Sequence, residues 1–189
     1  QDGRELALRG ACVDSGGHHT QAVYKFCKAN QGNRIFAIKG IGGEVGSRPI
    51  VGKPSKNNSA KCPLFPVGVD TAKDLIFSRL KIVEEGPGYI HFADTLEEEY
   101  FRQLTAEKIV QRYHKGYSKR TFVKTRPRNE ALDCMVYAIA AYAILNINVN
   151  TVADRIVKMK ADESVEARPE VKQQPMPRMP RRNFVNSWR

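Results

Sequence analysis

Hydrophobic positions occur along the chain in short blocks, separated by glycine, proline and polar runs. Leu6-Ala7-Leu8-Arg9-Gly10-Ala11-Cys12-Val13 leads into Asp14, and Ser15-Gly16-Gly17 behind it supplies a turn. That pattern predicts a buried strand ending at an aspartate. Ala22, Val23, Phe26 and Cys27 then recur at helical spacing and predict a helix over 20–30 with that apolar face, stopped by Gly32-Asn33. Arg34-Ile35-Phe36-Ala37-Ile38-Lys39 is rich in β-formers and predicts a second strand. Strand, helix and strand on short links form a βαβ unit, so the two strands are expected to be parallel.

Gly40-Ile41-Gly42-Gly43-Glu44-Val45-Gly46 lacks the spacing of a dinucleotide or phosphate loop and reads as a flexible connection. Residues 47–63 make a long basic loop. An extended piece over 64–69 precedes a helix over 72–80, for which Asp70 or Thr71 is the expected cap. Gly86-Pro87-Gly88 predicts a hairpin within 82–92. Another helix is expected from Asp94, with Glu97, Glu98 and Glu99 in its first turn and Phe101, Leu104 and Ile109 as its apolar face. Residues 110–124 suggest a basic strand pair, 130–145 the most apolar helix, and 151–160 one more short helix.

The expected organisation is one domain over 1–160 and a flexible basic tail over 161–189, where proline, arginine and glutamine dominate. The tail ends near Phe184 and Trp188, either a docking peptide or a frayed terminus.

Charge narrows the partners. Among 189 residues the formal net charge is +11, which favours polyanions and nucleic acid first. The basic candidates for a DNA backbone are Lys39, Lys73, Arg112, Lys119, Arg120, Lys124, Arg126 and Arg128, with Tyr113, Tyr117 and Phe122 interleaved. The competing reading is a solvated charged face. The four cysteines form no C-x-x-C pair, so a zinc ribbon or a disulfide scaffold is not expected. With no evident secretory signal and no apolar run near the ~20 residues of a membrane helix, a cytoplasmic protein is expected.

Two acids stand out as candidates for chemistry. Asp14 follows a strand and is flanked by glycines; Asp133 lies among Leu132, Cys134, Met135 and Val136. Carboxylates at a strand end and on a helix crossing the sheet can hold divalent ions for phosphodiester hydrolysis. Each has an alternative role. Asp14 could cap a helix, and Asp133 with Glu130 and Tyr137 could form the polar stripe of an amphipathic helix. His18 and His19 beside Asp14 could bind metal, position a phosphate or move a proton, or could be polar residues at a helix start. Asp70 and Glu130 are secondary candidates. Zinc spacings such as H-E-x-x-H are absent.

Several segments resemble one family. Val13-Asp14-Ser15-Gly16-Gly17-His18-His19-Thr20, Val23-Tyr24, Phe36-Ala37-Ile38-Lys39-Gly40 and Val69-Asp70-Thr71-Ala72-Lys73 come first. Gly88-Tyr89-Ile90-His91-Phe92, Tyr100-Phe101-Arg102-Gln103-Leu104-Thr105-Ala106-Glu107 and Arg128-Asn129-Glu130-Ala131-Leu132-Asp133 follow. In this order they resemble the C-terminal nuclease domain of the terminase large subunit of lambda-like phages.

The resemblance implies an α/β, RNase H-like mixed sheet flanked by helices, cutting concatemeric double-stranded DNA with two Mg²⁺ or Mn²⁺ ions. Asp14 would match the second acid of the family's cluster and Asp133 the last. The first acid would lie upstream of Gln1, with the ATPase domain of the same subunit, so an open sheet edge and weak cleavage by this chain alone are expected. The implied partners are double-stranded DNA, the small terminase subunit and the phage portal, on which the tail would dock. The alternative is a non-catalytic DNA- or portal-binding piece of the motor. A histidine-based hydrolase would instead keep its activity in EDTA.

Overall fold

The computed structural model describes residues 7–114 and 116–166. The expectations for the tail beyond Glu166, including Phe184 and Trp188, lie outside the described residues. The chain divides into two compact units, 1–147 and 148–189. In the second, a helix spans Val149–Glu166, so helix continues past residue 160 into the segment expected to be tail. No single helix among the described residues is long and apolar enough to cross a membrane.

The first unit is a mixed α/β structure built on two small sheets. Strands β1 (Ala11–Asp14), β2 (Ile35–Ile41) and β3 (Leu64–Gly68) form a parallel sheet in the order β1-β2-β3. Helix α1 (Thr20–Ala29) connects β1 to β2, as the βαβ pattern requires. Successive residues of β2 point to opposite faces, and its two central side chains start two clusters. Ala37 packs with Tyr24 and Cys27 of α1 and with Cys62. Ile38 packs with Val67, with Ala72 and Ile76 of α2 (Val69–Arg79), with Leu104 of α3 (Glu98–Leu104), and with Leu132, Val136 and Ala140 of α4 (Glu130–Leu145). Burying each large aliphatic side chain contributes about 1.5–3 kcal/mol, so this second cluster fixes α4 against the sheet. Asn146, in a left-handed conformation at φ 45°, ends α4.

Strands β4 (Glu107–His114) and β5 (Tyr117–Lys124) form the separate antiparallel ribbon expected from 110–124, beginning three residues earlier. Ile109, expected on a helix face, is therefore in β4, because α3 already ends at Leu104. Helix α3 also starts at Glu98 rather than at Asp94. The hairpin expected in 82–92 does not form; Tyr89 N–H donates to Gly86 O and makes only a turn. Ile82 and Val83 are exposed, so no apolar face repays strand pairing there. On α1 the inward residues are Tyr24 and Cys27, and Phe26 is half exposed.

The long 47–63 loop lies along β3, where single bridges join Val51 to Val67 and Ser55 to Leu64. Gly68 N–H donates to Ile50 O at 3.0 Å, and a Cβ on Gly68 would stand 2.5 Å from Pro49 O. Only glycine admits this approach of two backbones. Gly68→Ala is therefore expected to destabilise the protein by about 1–3 kcal/mol, the usual range for overpacking, read as a lowered thermal midpoint. An unchanged midpoint would show that the loop yields freely.

Candidate functional site

Asp14 is the last residue of β1, and the turn behind it is tightly tied. Ser15 is buried; its N–H and Oγ both donate to Ile38 O, at 2.9 and 2.8 Å. Thr20 Oγ1 donates to Ser15 O at 2.8 Å and closes the turn. Asp14 Oδ1 accepts the Gly16 N–H at 3.1 Å, and a Cβ on Gly16 would lie 3.2 Å from Oδ2. The glycine lets the loop curl around the carboxylate. Asp14 does not cap α1, whose N-cap position is His19.

Helix α4 brings the second acid. It starts after buried Asn129, and its Ala131 N–H donates to Gln103 Oε1 at 3.3 Å, which satisfies one orphan donor of the first turn. Asp133 lies one turn in and Tyr137 one turn further, on the same helix face. Burial raises the Tyr137 pKa most, and the carboxylates of Asp14 and then Asp133 raise it further. The tyrosine thus lies within the field of both acids and keeps its proton. Asp133 itself is half-buried. Burial pushes its pKa up, against the opposing pull of Lys73.

Lys73, on α2, points inward. Its Nζ is 2.8 Å from both Glu107 oxygens and 4.0 Å from Asp133 Oδ1. Asn129 Nδ2 donates to Glu107 Oε1 at 2.8 Å, and Lys124 Nζ donates to Asn129 Oδ1 at 2.8 Å. Lys73 and Glu107 are both buried, and a buried charge requires such a partner. This network borders an open cleft of about 600 Å³ between the 42–44 loop, the start of α2 and the ribbon, lined also by Asp70, Lys119, Phe122 and Lys124.

Of the sequence candidates, Asp14 and Asp133 both act on Tyr137 and Lys73 lies beside Asp133; the remaining acids and the histidines have other surroundings. His18 and His19 are exposed on the turn after β1. Asp70 is buried in the cleft wall, where its Oδ2 accepts the Gly43 N–H at 2.7 Å; it caps no helix, since Gly68 holds the N-cap position of α2. Glu130 is exposed and paired with Arg128 at 3.3 Å. Of the basic candidates, Lys73 is spent on Glu107, Arg120 pairs with Asp74 at 2.9 Å, Arg126 with Glu99 at 3.4 Å, and Lys124 with Asn129. Lys39, Arg112 and Lys119 are exposed. Among the described residues, no three or more His, Cys, Asp or Glu side chains are grouped to hold a metal ion.

Sequence reasoning passed over Glu107 and Asn129. One signal was available. Lys73 falls between Ala72 and Ile76 on the apolar stripe of α2, and a lysine there demands an acid from elsewhere in the chain.

Comparison with known proteins shows the family of the chain. A 181-residue match to the terminase large subunit of Enterobacteria phage P21 is 34% identical, covering 91% of this chain and 27% of that protein. A 151-residue match to the terminase large subunit of Escherichia phage lambda is 36% identical, covering 76% of this chain and 23% of that protein. The chain thus spans about a quarter of the length of the curated relatives it matches. No solved structure matches it. The family model described as the terminase large subunit gpA endonuclease domain matches residues 1–155, and the chain belongs to that family.

Proposed function

We propose that this chain is a divalent-metal-dependent endonuclease domain of RNase H-like fold, cutting concatemeric double-stranded DNA in a viral packaging motor. The observation that supports the reading is that Asp14, from a parallel strand end, and Asp133, from a helix packed on that sheet, both raise the pKa of Tyr137. Two carboxylates suit a cation such as Mg²⁺ or Mn²⁺, which keeps most of its waters and takes one or two protein oxygens. A two-ion arrangement needs more oxygen ligands than the described residues bring together. An ion held there supplies Lewis-acid chemistry to water and to the phosphoryl group.

The chain's own groups set the surroundings. Asp14 and Asp133 would hold the cation, and protonated Tyr137, whose pKa both acids raise, offers a hydrogen-bond donor beside them. Glu107 neutralises Lys73 and keeps that ammonium beside Asp133. The exposed cations face the DNA backbone. The ATPase domain of the same subunit, the small terminase subunit and the portal, in the host cytoplasm, complete the proposed setting; support for them is the family membership alone.

The sparse ligand set favours a second reading, a non-catalytic DNA- or portal-binding piece. Nicking of supercoiled plasmid by the whole protein separates the two. Mn²⁺-dependent nicking that stops in EDTA is expected. DNA binding without nicking at any Mn²⁺ concentration would favour the second reading, and nicking that persists in EDTA would point to histidine chemistry.

A further inference from the structure

The ribbon β4–β5 contains an arrangement that is unfavourable by itself. Arg112 stands directly opposite Lys119 across the antiparallel pair, so the two side chains share a face, and like charges so placed repel. Among the described residues neither lies within ion-pair distance of a carboxylate. Lys108, also exposed, lies on the same face.

The base of the ribbon is locked. Glu107 holds Lys73, Lys124 holds Asn129, Phe122 packs on Phe77 with ring centroids 5.4 Å apart, and Val45 N–H donates to Arg120 O at 2.9 Å. The distal half is bare. Gln111, Arg112, Tyr113, Tyr117, Ser118 and Lys119 are all exposed. Arg112 is five residues along β4 from Glu107, or about 17 Å at ~3.4 Å per residue.

We propose that the distal half of this ribbon is a DNA-gripping arm, in which Arg112 and Lys119 together clamp phosphates of duplex DNA. An anion between the two cations turns their repulsion into attraction, and a two-stranded ribbon is of a size that a duplex groove admits. The inference rests on DNA as the substrate, but it does not require Asp14 or Asp133 to hydrolyse anything. It also selects among the basic residues: the paired cations Arg120, Arg126 and Arg128 contribute little.

The test is the salt dependence of duplex binding by the whole protein, measured in EDTA so that cleavage plays no part. Each phosphate contact contributes about −0.9 to the slope of log K against log salt. Arg112→Ala with Lys119→Ala is expected to make the slope less negative by about 1.8. The wild-type advantage then shrinks roughly tenfold between 50 and 200 mM salt. Arg112→Lys with Lys119→Arg keeps the wild-type slope. Arg102→Ala, which removes an exposed cation paired with Glu98 on α3, also leaves the slope alone. An unchanged slope in the double alanine variant, or an equal change in Arg102→Ala, overturns the proposal. Absence of nicking by the wild type in Mn²⁺, with this slope change present, would count against the endonuclease reading only.

Discussion

Asp133→Asn is expected to lower Mn²⁺-dependent plasmid nicking by more than about a hundredfold and, in EDTA, to leave the protein as stable as the wild type or more so. Both halves follow from the position of the carboxylate. Replacing an outer partner of a metal site costs about 10–100-fold, so losing a proposed ligand should cost more. Asn preserves shape but removes the anionic charge that a hard cation requires. Asp14→Asn is expected to cause a similar loss of nicking.

The stability half concerns Asp133. Its folded-state pKa lies above the ordinary carboxylate value of 3.8 because burial outweighs the attraction of Lys73. Between the unfolded and folded pKa values the native state holds more protons than the unfolded chain, so stability falls as pH rises through that window. Above it the penalty is complete, and Asn never incurs it. The wild-type thermal midpoint in EDTA, measured relative to that of Asp133→Asn at each pH, should therefore fall as pH rises from about 4 through the carboxylate range. A wild-type midpoint that climbs relative to that of the variant there, leaving the variant less stable at neutral pH, would mean that Asp133 serves the fold as an ordinary ion-pair partner. Full nicking activity in either Asn variant would remove its carboxylate from the chemistry.

How far the sequence revealed this site depends on where each signal lies. The βαβ unit was legible because 11–14, 20–29 and 35–41 carry local periodicity, and a short link leaves few topologies. The extent of α4 was legible because its apolar run is long and stops at an asparagine. The hairpin expected over 82–92 failed because Gly86-Pro87-Gly88 specifies a turn but nothing local supplies the buried face that strands need. Asp14 and Asp133 were recognisable individually, by a strand end and by an acid among apolar neighbours. Their meeting at Tyr137 depends on packing of α4 against β1, across more than a hundred residues, and no local pattern encodes it. The same holds for Glu107. It is an ordinary first residue of a strand until Lys73, 34 residues away, is turned inward toward it. The basic list was too broad for a related reason: exposure and pairing decide which cations are free, and composition records neither.

Lys73→Met is expected to destabilise the protein by about 3–5 kcal/mol, the usual cost of leaving one member of a buried ion pair unpartnered. Against a typical total of roughly 5–15 kcal/mol, this is the largest stability effect anticipated from one side chain here. Methionine keeps most of the volume of lysine, so cavity formation contributes little. What remains is a Glu107 carboxylate with 4% of its side chain exposed and, among the described residues, Asn129 as its one remaining side-chain hydrogen-bond donor. Glu107→Gln should cost a comparable amount from the other side, by stranding the ammonium. Lys73→Met combined with Glu107→Leu should recover much of the loss, since buried pairs often gain little over apolar replacements of similar size. Urea midpoints of the four proteins give the coupling directly. Single variants within about 1 kcal/mol of wild type would show that water reaches the pair and that the network is not dry. If the double variant is stable but its nicking activity is lost, the pair is there for the site: its two charges, held by Asn129 at the start of α4, fix where Asp133 stands, and the fold can do without them.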